Sequence, residues 1–283
     1  MDCPYNPLWL AENFPEITAI SPLGVGGQKW VFGGVHSLYG DIVLKLFHAG
    51  GDDGRAEREI AAIQNISCSR IPNIHNIGSV KGPHGEVLWI IEQRVPGVPL
   101  RHLILVGLSD EQVLYITEHV LEALAAAETA RIVHRDVKPE NIQVDLVGKS
   151  AWLLDFGIAR HLDLSSLTAT DNIFGPCTAG YAPPEQFKNF KREIDGRADL
   201  FSLGVTMYEA IEGSNPYREG VRDAREMLHR TQTVALPALS RQIEPSGNFV
   251  DLIASMVQTR PDHRPGSVAD ALDWVKDIQL RRV

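Results

Sequence analysis

The spacing of hydrophobic positions changes about one third of the way along the chain. From Ile17 to Gln93, short β-branched runs alternate with glycine, as at 42–44, 77–80 and 87–91. Such runs are typical of β-strands, and the glycine-containing segment between the last two runs predicts a hairpin turn. The first third of the chain is therefore predicted to form a small antiparallel sheet.

Helical spacing occurs once within this region and dominates after Pro96. Isoleucines spaced three apart predict a single helix over 55–66. Two starts that resemble capping boxes, at 109–112 and 267–270, open later helices, the first ending near Arg131. We expect an α+β fold with an N-terminal extension (1–16), a β-rich lobe (17–95) and a larger, mainly helical lobe (96–283). A cleft between the lobes is the expected ligand site.

Composition and charge narrow the class of protein. Of 283 residues, 44% are hydrophobic and 22% are charged, so the chain can bury a core. The longest apolar runs fall far short of the roughly 18 residues of a membrane helix. With no export signal visible, we expect a cytoplasmic protein that does not bind a membrane. The formal net charge of −9 repels phosphate backbones, so no nucleic-acid partner is expected.

Two segments of the helical region carry the most specific chemistry. Residues 134–141 read HRDVKPEN, and residues 152–157 read WLLDFG. In this order and separation the two segments match signatures of protein kinases. From about Ile17 to Val283, the chain resembles the eukaryotic-like (Hanks-type) serine/threonine protein kinases of bacteria.

Phosphoryl transfer explains why these residue types occur together. The transferring group spreads negative charge over its oxygens, so it requires metal-held phosphates, a positioned hydroxyl and a nearby cation. The resemblance implies that Asp136 accepts the proton of the acceptor hydroxyl and that Lys138 neutralises the transferred phosphoryl. It assigns Asn141 and Asp155 to Mg²⁺, for which Mn²⁺ is a possible substitute, and implies ATP as co-substrate.

A lysine on a strand of the sheet region is the next part of the resemblance. Residues 42–45 read IVLK and resemble the family's Val-Ala-Ile-Lys pattern. The resemblance implies that Lys45 binds the nucleotide phosphates. Its ion-pair partner is expected on the following helix. We assign that partner to Glu59 rather than Glu57, because Glu59 immediately precedes the apolar stripe. The separation from Lys45 is shorter than the family pattern.

The remaining nucleotide contacts come from a glycine-rich loop and the strand that ends the sheet region. The positions assigned to ATP are Leu23, Gly24, Gly26, Gly27, Val31, Val43, Lys45, Glu92, Gln93, Val95 and Gln143. Lys29 stands where the third glycine of the loop is expected, Val43 replaces a smaller alanine, and Gln143 replaces the leucine below the adenine. A gapless alignment makes Glu92 the gatekeeper, while a shift of one residue makes it Ile91.

Three charged residues further along match structural positions of the family. Residues 178–185 read TAGYAPPE and resemble the end of an activation segment. The resemblance implies a buried ion pair between Glu185 and Arg264. It also implies that Asp199 braces the catalytic loop, which comprises residues 134–141.

Regulation is predicted from the arginine that precedes the catalytic base. An arginine at this position often binds a phosphate on the activation segment, so Arg135 permits such an arrangement. We expect autophosphorylation at Thr168 or Thr170, in trans between two copies of the chain. Thr178 is expected to have a structural role near the base.

The predicted function is an ATP- and magnesium-dependent serine/threonine kinase that acts on protein substrates. One alternative is a pseudokinase that serves as a scaffold, but the lysine, the base and both metal ligands are all present. The other is a small-molecule phosphotransferase of related fold, which generally lacks this ending of the activation segment. Lys138 and Thr178 favour the serine/threonine branch over tyrosine kinases.

Overall fold

The computed structural model describes residues 3–26, 29–48, 63–64, 66–156, 178–187, 194–221 and 223–281. The chain divides into two compact units. Among the described residues, the first comprises 3–26, 29–48, 63–64 and 72–95, and the second comprises 66–71, 96–156, 178–187, 194–221 and 223–281.

The first unit contains the predicted antiparallel sheet. Its strands are β1 (Ile17–Gly26), β2 (Lys29–His36), β3 (Gly40–His48), β4 (Ile74–Gly82) and β5 (Gly85–Gln93). They are arranged in the order β1-β2-β3-β5-β4, and all neighbours are antiparallel. The β4–β5 hairpin turns where predicted, with Gly82 opposite Gly85. Gly85 has φ +129°, a conformation that only glycine adopts readily.

One face of this sheet forms a hydrophobic core with the N-terminal segment. Helix α1 (Pro7–Asn13) starts at the side-chain cap Asn6, and the segment around it buries Tyr5, Leu10 and Phe14 against the sheet. The Phe14 ring meets Trp89 of β5 edge to face at 5.6 Å. Residues set apart in the sequence as an extension are therefore part of the core of the first unit. Most of the helix predicted over 55–66 lies outside the described residues.

The second unit is mainly helical. Its helices are α2 (Leu100–Ile104), α3 (Asp110–Thr129), α4 (Pro184–Phe187), α5 (Gly196–Glu212), α6 (Ala224–Thr233), α7 (Asn248–Met256) and α8 (Val268–Leu280). Single 3₁₀ turns lie at Pro139–Asn141 and Pro261–His263. A small antiparallel sheet is built from β6 (Val98–Pro99), β7 (Ile142–Asp145) and β8 (Ser150–Leu153).

The two predicted helix starts are both present and capped by serine. Ser109 and Gln112 form the reciprocal capping box of α3. At α8, the Ser267 hydroxyl accepts from the backbone N–H of Asp270 at 3.1 Å. The first backbone N–H of α8 also donates to the Glu128 carboxylate near the end of α3. The Ser267 side chain at the start of α8 and the Glu128 side chain of α3 thus fix where α8 begins.

Helix α5 is buried along almost its whole length, including its one acidic residue near the N-terminus, Asp199. Such burial identifies α5 as the central helix of the second unit. Across the part of the chain that the structure describes, no helix combines the length and the apolar character needed to cross a membrane.

Candidate functional site

The side chain of Asp136 is held by three neighbours within the second unit. Its Oδ1 atom accepts a hydrogen bond from the Thr178 hydroxyl at 2.7 Å. Its Oδ2 atom lies 2.9 Å from Lys138 Nζ and accepts from Asn141 Nδ2 at 3.0 Å. Lys138 also donates to the Thr178 hydroxyl at 3.0 Å. The Asp136 carboxylate, the Lys138 ammonium and the Thr178 hydroxyl are thereby held together by hydrogen bonds.

The backbone that presents Asp136 is braced by the central helix. The Asp199 carboxylate, on a residue that is only 2% exposed, accepts from the backbone N–H groups of His134 and Arg135, both at 2.7 Å. Arg135 adopts φ +65°, a strained conformation that the surroundings must hold in place. These hydrogen bonds supply that restraint.

His134 connects the catalytic loop to the strand that precedes Asp155. Its Nδ1 atom accepts from the backbone N–H of Asp136 at 3.2 Å, and its Nε2 atom lies 2.9 Å from the Leu154 carbonyl oxygen. Nδ1 is therefore an acceptor while Nε2 carries the proton. Because both ring nitrogens serve the backbone, His134 orders the loop.

The β7–β8 hairpin brings Asn141 and Asp155 to the same end of the small sheet. Asn141 immediately precedes β7, Asp155 follows β8, and the Leu154 N–H donates to the Asn141 carbonyl at 2.8 Å. The Asn141 amide nitrogen donates to Asp136, which leaves the amide oxygen as the atom available to a cation. Asp155 adopts φ +59°, and Arg135, next to Asp136, adopts φ +65°. Strained backbone therefore occurs at Asp155 and immediately before Asp136.

Asn141 and Asp155 supply the hard oxygen atoms that Mg²⁺ prefers. Among the described residues, no three histidine, cysteine or acidic side chains form a cage for a metal ion. Mg²⁺ is commonly bound by one or two protein side chains together with phosphate and water oxygens. The chemistry of Asn141 and Asp155 fits that mode of binding.

The second unit also contains the ion pair between Glu185 and Arg264. Arg264 donates to both carboxylate oxygens of Glu185, at 2.7 and 3.2 Å, and its side chain is fully buried. The guanidinium also donates to the carbonyl oxygens of Gln258, Thr259 and Arg197, and it lies over the Phe201 ring. This cluster ties α4 to the central helix.

A second charged cluster, beside the catalytic loop, was not predicted from the sequence. Arg101 of α2 donates to Glu140 at 2.9 Å, to Glu209 at 2.6 Å and to the Tyr181 hydroxyl at 2.5 Å. Burial, reinforced by the neighbouring Glu209 carboxylate, raises the pKa of Tyr181 to about 12. Arg101 and Glu209 belong to no motif that marks them, and Glu140 lies 39 positions from Arg101, so spacing gave no signal.

In the first unit, Lys45 lies on a buried face of the sheet. Val31 of β2 is opposite Lys45, and Val43 of β3 is opposite Glu92 of β5. Lys45 Nζ lies 2.5 Å from Glu92 Oε1. Glu92 shares this face with Val43 and Lys45, whereas Ile91 packs into the core on the other face.

Other residues assigned to the nucleotide divide between the two units. In the first unit, Leu23 and Gly24 lie on β1, Gly26 ends that strand, Gln93 ends β5 and Val95 is buried. In the second unit, the Gln143 side-chain amide donates to the Gly97 carbonyl oxygen at 2.8 Å. Gly27, Glu59, Thr168 and Thr170 lie outside the described residues.

Comparison with known proteins identifies the family. Residues 17–275 match the model of the protein kinase domain. The serine/threonine-protein kinase PknF of Mycobacterium tuberculosis is 34% identical over 272 residues, which cover 91% of this chain and 55% of that protein. A probable serine/threonine-protein kinase of Clostridium acetobutylicum is 28% identical over 270 residues, covering 91% of this chain and 39% of that protein.

A solved structure shows the same fold. The crystal structure of Rad53 1-466 in complex with AMP-PNP superposes with a TM-score of 0.73 at 19% sequence identity, covering 93% of this chain and 66% of that chain. The chain belongs to the protein kinase family. The predicted resemblance to bacterial serine/threonine kinases and the predicted α+β class are confirmed. The chain spans about two fifths to just over half of the length of these two bacterial relatives.

Proposed function

We propose that this domain transfers the γ-phosphate of ATP to serine or threonine hydroxyls of proteins. The observation that carries the proposal is the Asp136 carboxylate, held at 2.7–3.0 Å by Thr178, Lys138 and Asn141. A positioned carboxylate beside an ammonium is what an in-line attack by a hydroxyl on a phosphoryl group needs. The serine/threonine kinases among the relatives support the choice of acceptor.

The side chains divide the work as follows. The acceptor hydroxyl attacks the γ-phosphorus as its proton passes to Asp136, and the bond from that phosphorus to the bridging oxygen of ADP breaks. Lys138 neutralises charge on the transferred group. Asn141 and Asp155 hold Mg²⁺, which when bound neutralises the phosphate oxygens. Mn²⁺ is proposed as a substitute because it also accepts hard oxygen ligands.

The nucleotide contacts are proposed in the first unit and at the start of the second. Lys45 binds the α- and β-phosphates, with the glycine-rich loop covering them. The other proposed contacts are Leu23, Gly24, Gly26, Gly27, Val31, Val43, Glu92, Gln93, Val95 and Gln143. That Rad53 was crystallised with AMP-PNP supports ATP as the nucleotide. We also propose lobes at 17–95 and 96–283, a division supported by the change of unit after Val95.

Autophosphorylation is proposed at Thr168 or Thr170, and Arg135 is proposed to bind the new phosphate. Separately, Glu59 is proposed as the partner of Lys45 on the helix predicted over 55–66. Transfer between two copies of the chain would require the two copies to form a transient dimer, in which one copy phosphorylates the other. Phosphopeptide mapping of active protein tests this part of the proposal. An active preparation in which residues 158–177 carry no phosphate would contradict it.

The proposed activity is tested with γ-labelled ATP, Mg²⁺ and a generic basic protein as acceptor. We expect label on serine and threonine of the acceptor, and an Asp136→Asn rate reduced by about 10²- to 10⁴-fold, as for other general bases. The exposed Asp251→Asn variant makes the same chemical change away from the site and should match the wild type. Label on metabolites but never on protein would contradict the proposal, as would nucleotide binding without any transfer.

A further inference from the structure

The register of the larger sheet places Lys45 and Glu92 on the same face. In the antiparallel pair of β3 and β5, Lys45 is opposite Ile90 and Val43 is opposite Glu92. Because strand side chains alternate between faces, all four side chains share one face. Lys45 and Glu92 are therefore diagonal neighbours across the pair, a separation that long side chains span.

The two side chains form a buried ion pair. Lys45 Nζ lies 2.5 Å from Glu92 Oε1, and the side chains are only 6% and 11% exposed. The same face carries the buried apolar side chains of Phe47, Leu88 and Ile90. In such surroundings a charge is stable only when it is paired, so each of the two groups constrains the other.

Both ends of this pair stand on rigid backbone. Strands β3 and β5 are inner strands in the order β1-β2-β3-β5-β4, with a hydrogen-bonded neighbour on each side. Functional groups carried by such elements are held more accurately than groups carried by loops. An ammonium group has three protons, so Lys45 can bind Glu92 and a phosphate oxygen together.

We propose that Glu92 is a positioning residue for Lys45, whose ammonium it fixes relative to the sheet at the place where the nucleotide phosphates bind. From the sequence, Glu59 on a helix was predicted to perform this task, and Glu92 was predicted to lie in the adenine pocket. The proposal rests on the proposed function, because the position of Lys45 matters only where a nucleotide binds.

Steady-state kinetics with two variants of Glu92 test the proposal. Glu92→Gln keeps the size of the side chain and removes its charge, while Glu92→Asp keeps the charge on a shorter side chain. Glu86→Gln makes the same change at an exposed position of the same strand and serves as the matched control.

We expect kcat/KM for ATP to fall about 10- to 100-fold in Glu92→Gln, the usual effect of removing a group that orients a functional residue. The KM for the acceptor protein should stay unchanged, because the acceptor does not meet Lys45. Glu92→Asp should recover part of the loss, and Glu86→Gln should match the wild type.

A thermodynamic cycle tests the pairing independently of catalysis. Lys45→Met leaves the buried Glu92 carboxylate without this counter-charge, so the protein should unfold at lower temperature. Adding Glu92→Leu should then raise the unfolding temperature above that of Lys45→Met alone. In the Lys45→Met background, Glu92→Leu should lower ATP affinity by less than it does in the wild-type background.

Three results would overturn the proposal, and they are distinguishable. Wild-type kinetics in a folded Glu92→Gln protein would refute the role of Glu92 and leave the proposed function intact. Equal losses toward ATP and acceptor in both Gln and Asp variants would show a purely structural role. If the wild type transfers no phosphate, the proposed function itself fails and takes this role with it.

Discussion

Replacement of Arg264 by methionine removes a fully buried guanidinium and provides a quantitative test of the second unit. The side chain makes two hydrogen bonds to Glu185 and one to each of three backbone carbonyls. After substitution, the Glu185 carboxylate, whose side chain is 7% exposed, is left buried without the counter-charge of Arg264. Breaking a buried ion pair in this way typically costs about 3–5 kcal/mol.

The expected loss is large enough to measure in several ways. For a unit of this size, each kcal/mol lowers the unfolding temperature by about 2–4 °C, which gives about 6–20 °C in total. Native-state hydrogen exchange of the Gly196–Glu212 helix would assign the effect to the second unit, since the pair is anchored beside that helix.

A double variant and a matched control sharpen the test. Glu185→Met combined with Arg264→Met removes both charges, so the two losses should fall short of additive by about 0.5–3 kcal/mol. Arg260→Met changes an exposed arginine four residues away, paired at the surface with Asp262, and should leave the transition unchanged. An Arg264→Met protein within about 0.5 kcal/mol of the wild type would refute the reasoning, because that is the range of ordinary surface substitutions.

Three further predictions concern other parts of the molecule. Phe14→Ala should destabilise the first unit by about 3–5 kcal/mol, measured by tryptophan fluorescence during urea unfolding, and an unchanged midpoint would exclude Phe14 from the core. Burial alone raises the pKa of Asp195, but hydrogen bonds from Arg197 outweigh it and leave that pKa below its ordinary value of 3.8. The Asp195 charge therefore stabilises the fold above that pH, and the stability difference from Asp195→Asn should disappear as the pH falls through the lowered value; a difference that grew with acid would contradict the sign. Arg101→Met should lower the unfolding temperature because it leaves the buried Glu209 carboxylate without its arginine. Adding Glu209→Gln should raise the unfolding temperature again. No such recovery would mean that lost packing, not unpaired charge, causes the destabilisation.

The catalytic loop could be predicted from sequence because its chemistry lies in contiguous segments. Asp136, Lys138 and Asn141 occur within six residues, so their proximity required no knowledge of the fold. Asp199 and Arg264 lie far from this loop in sequence, and only the family pattern related them to it. The capping residues at 109–112 and 267–270 were equally local signals, and they marked the helix starts correctly.

The contacts that could not be predicted depend on tertiary structure. The Lys45–Glu92 pair follows from the register of β3 against β5, and a shift of one residue would have moved Glu92 to the other face. Helix α1 has seven residues, too few to show a clear helical period, and it is held by packing of Tyr5, Leu10 and Phe14. The contacts of Arg101 with Tyr181 and Glu209 join residues 80 and 108 positions apart in the sequence.

The most direct test of phosphoryl transfer is the intact mass of the purified protein after incubation with ATP and Mg²⁺, with and without a basic acceptor protein. Wild type and Asp136→Asn should be measured side by side, because the variant removes the carboxylate held by Lys138, Asn141 and Thr178. We predict phosphate-sized mass increments on the wild type or its acceptor, and none on the variant over the same time. Equal increments on both proteins, or none on either while nucleotide binds, would contradict catalysis by Asp136.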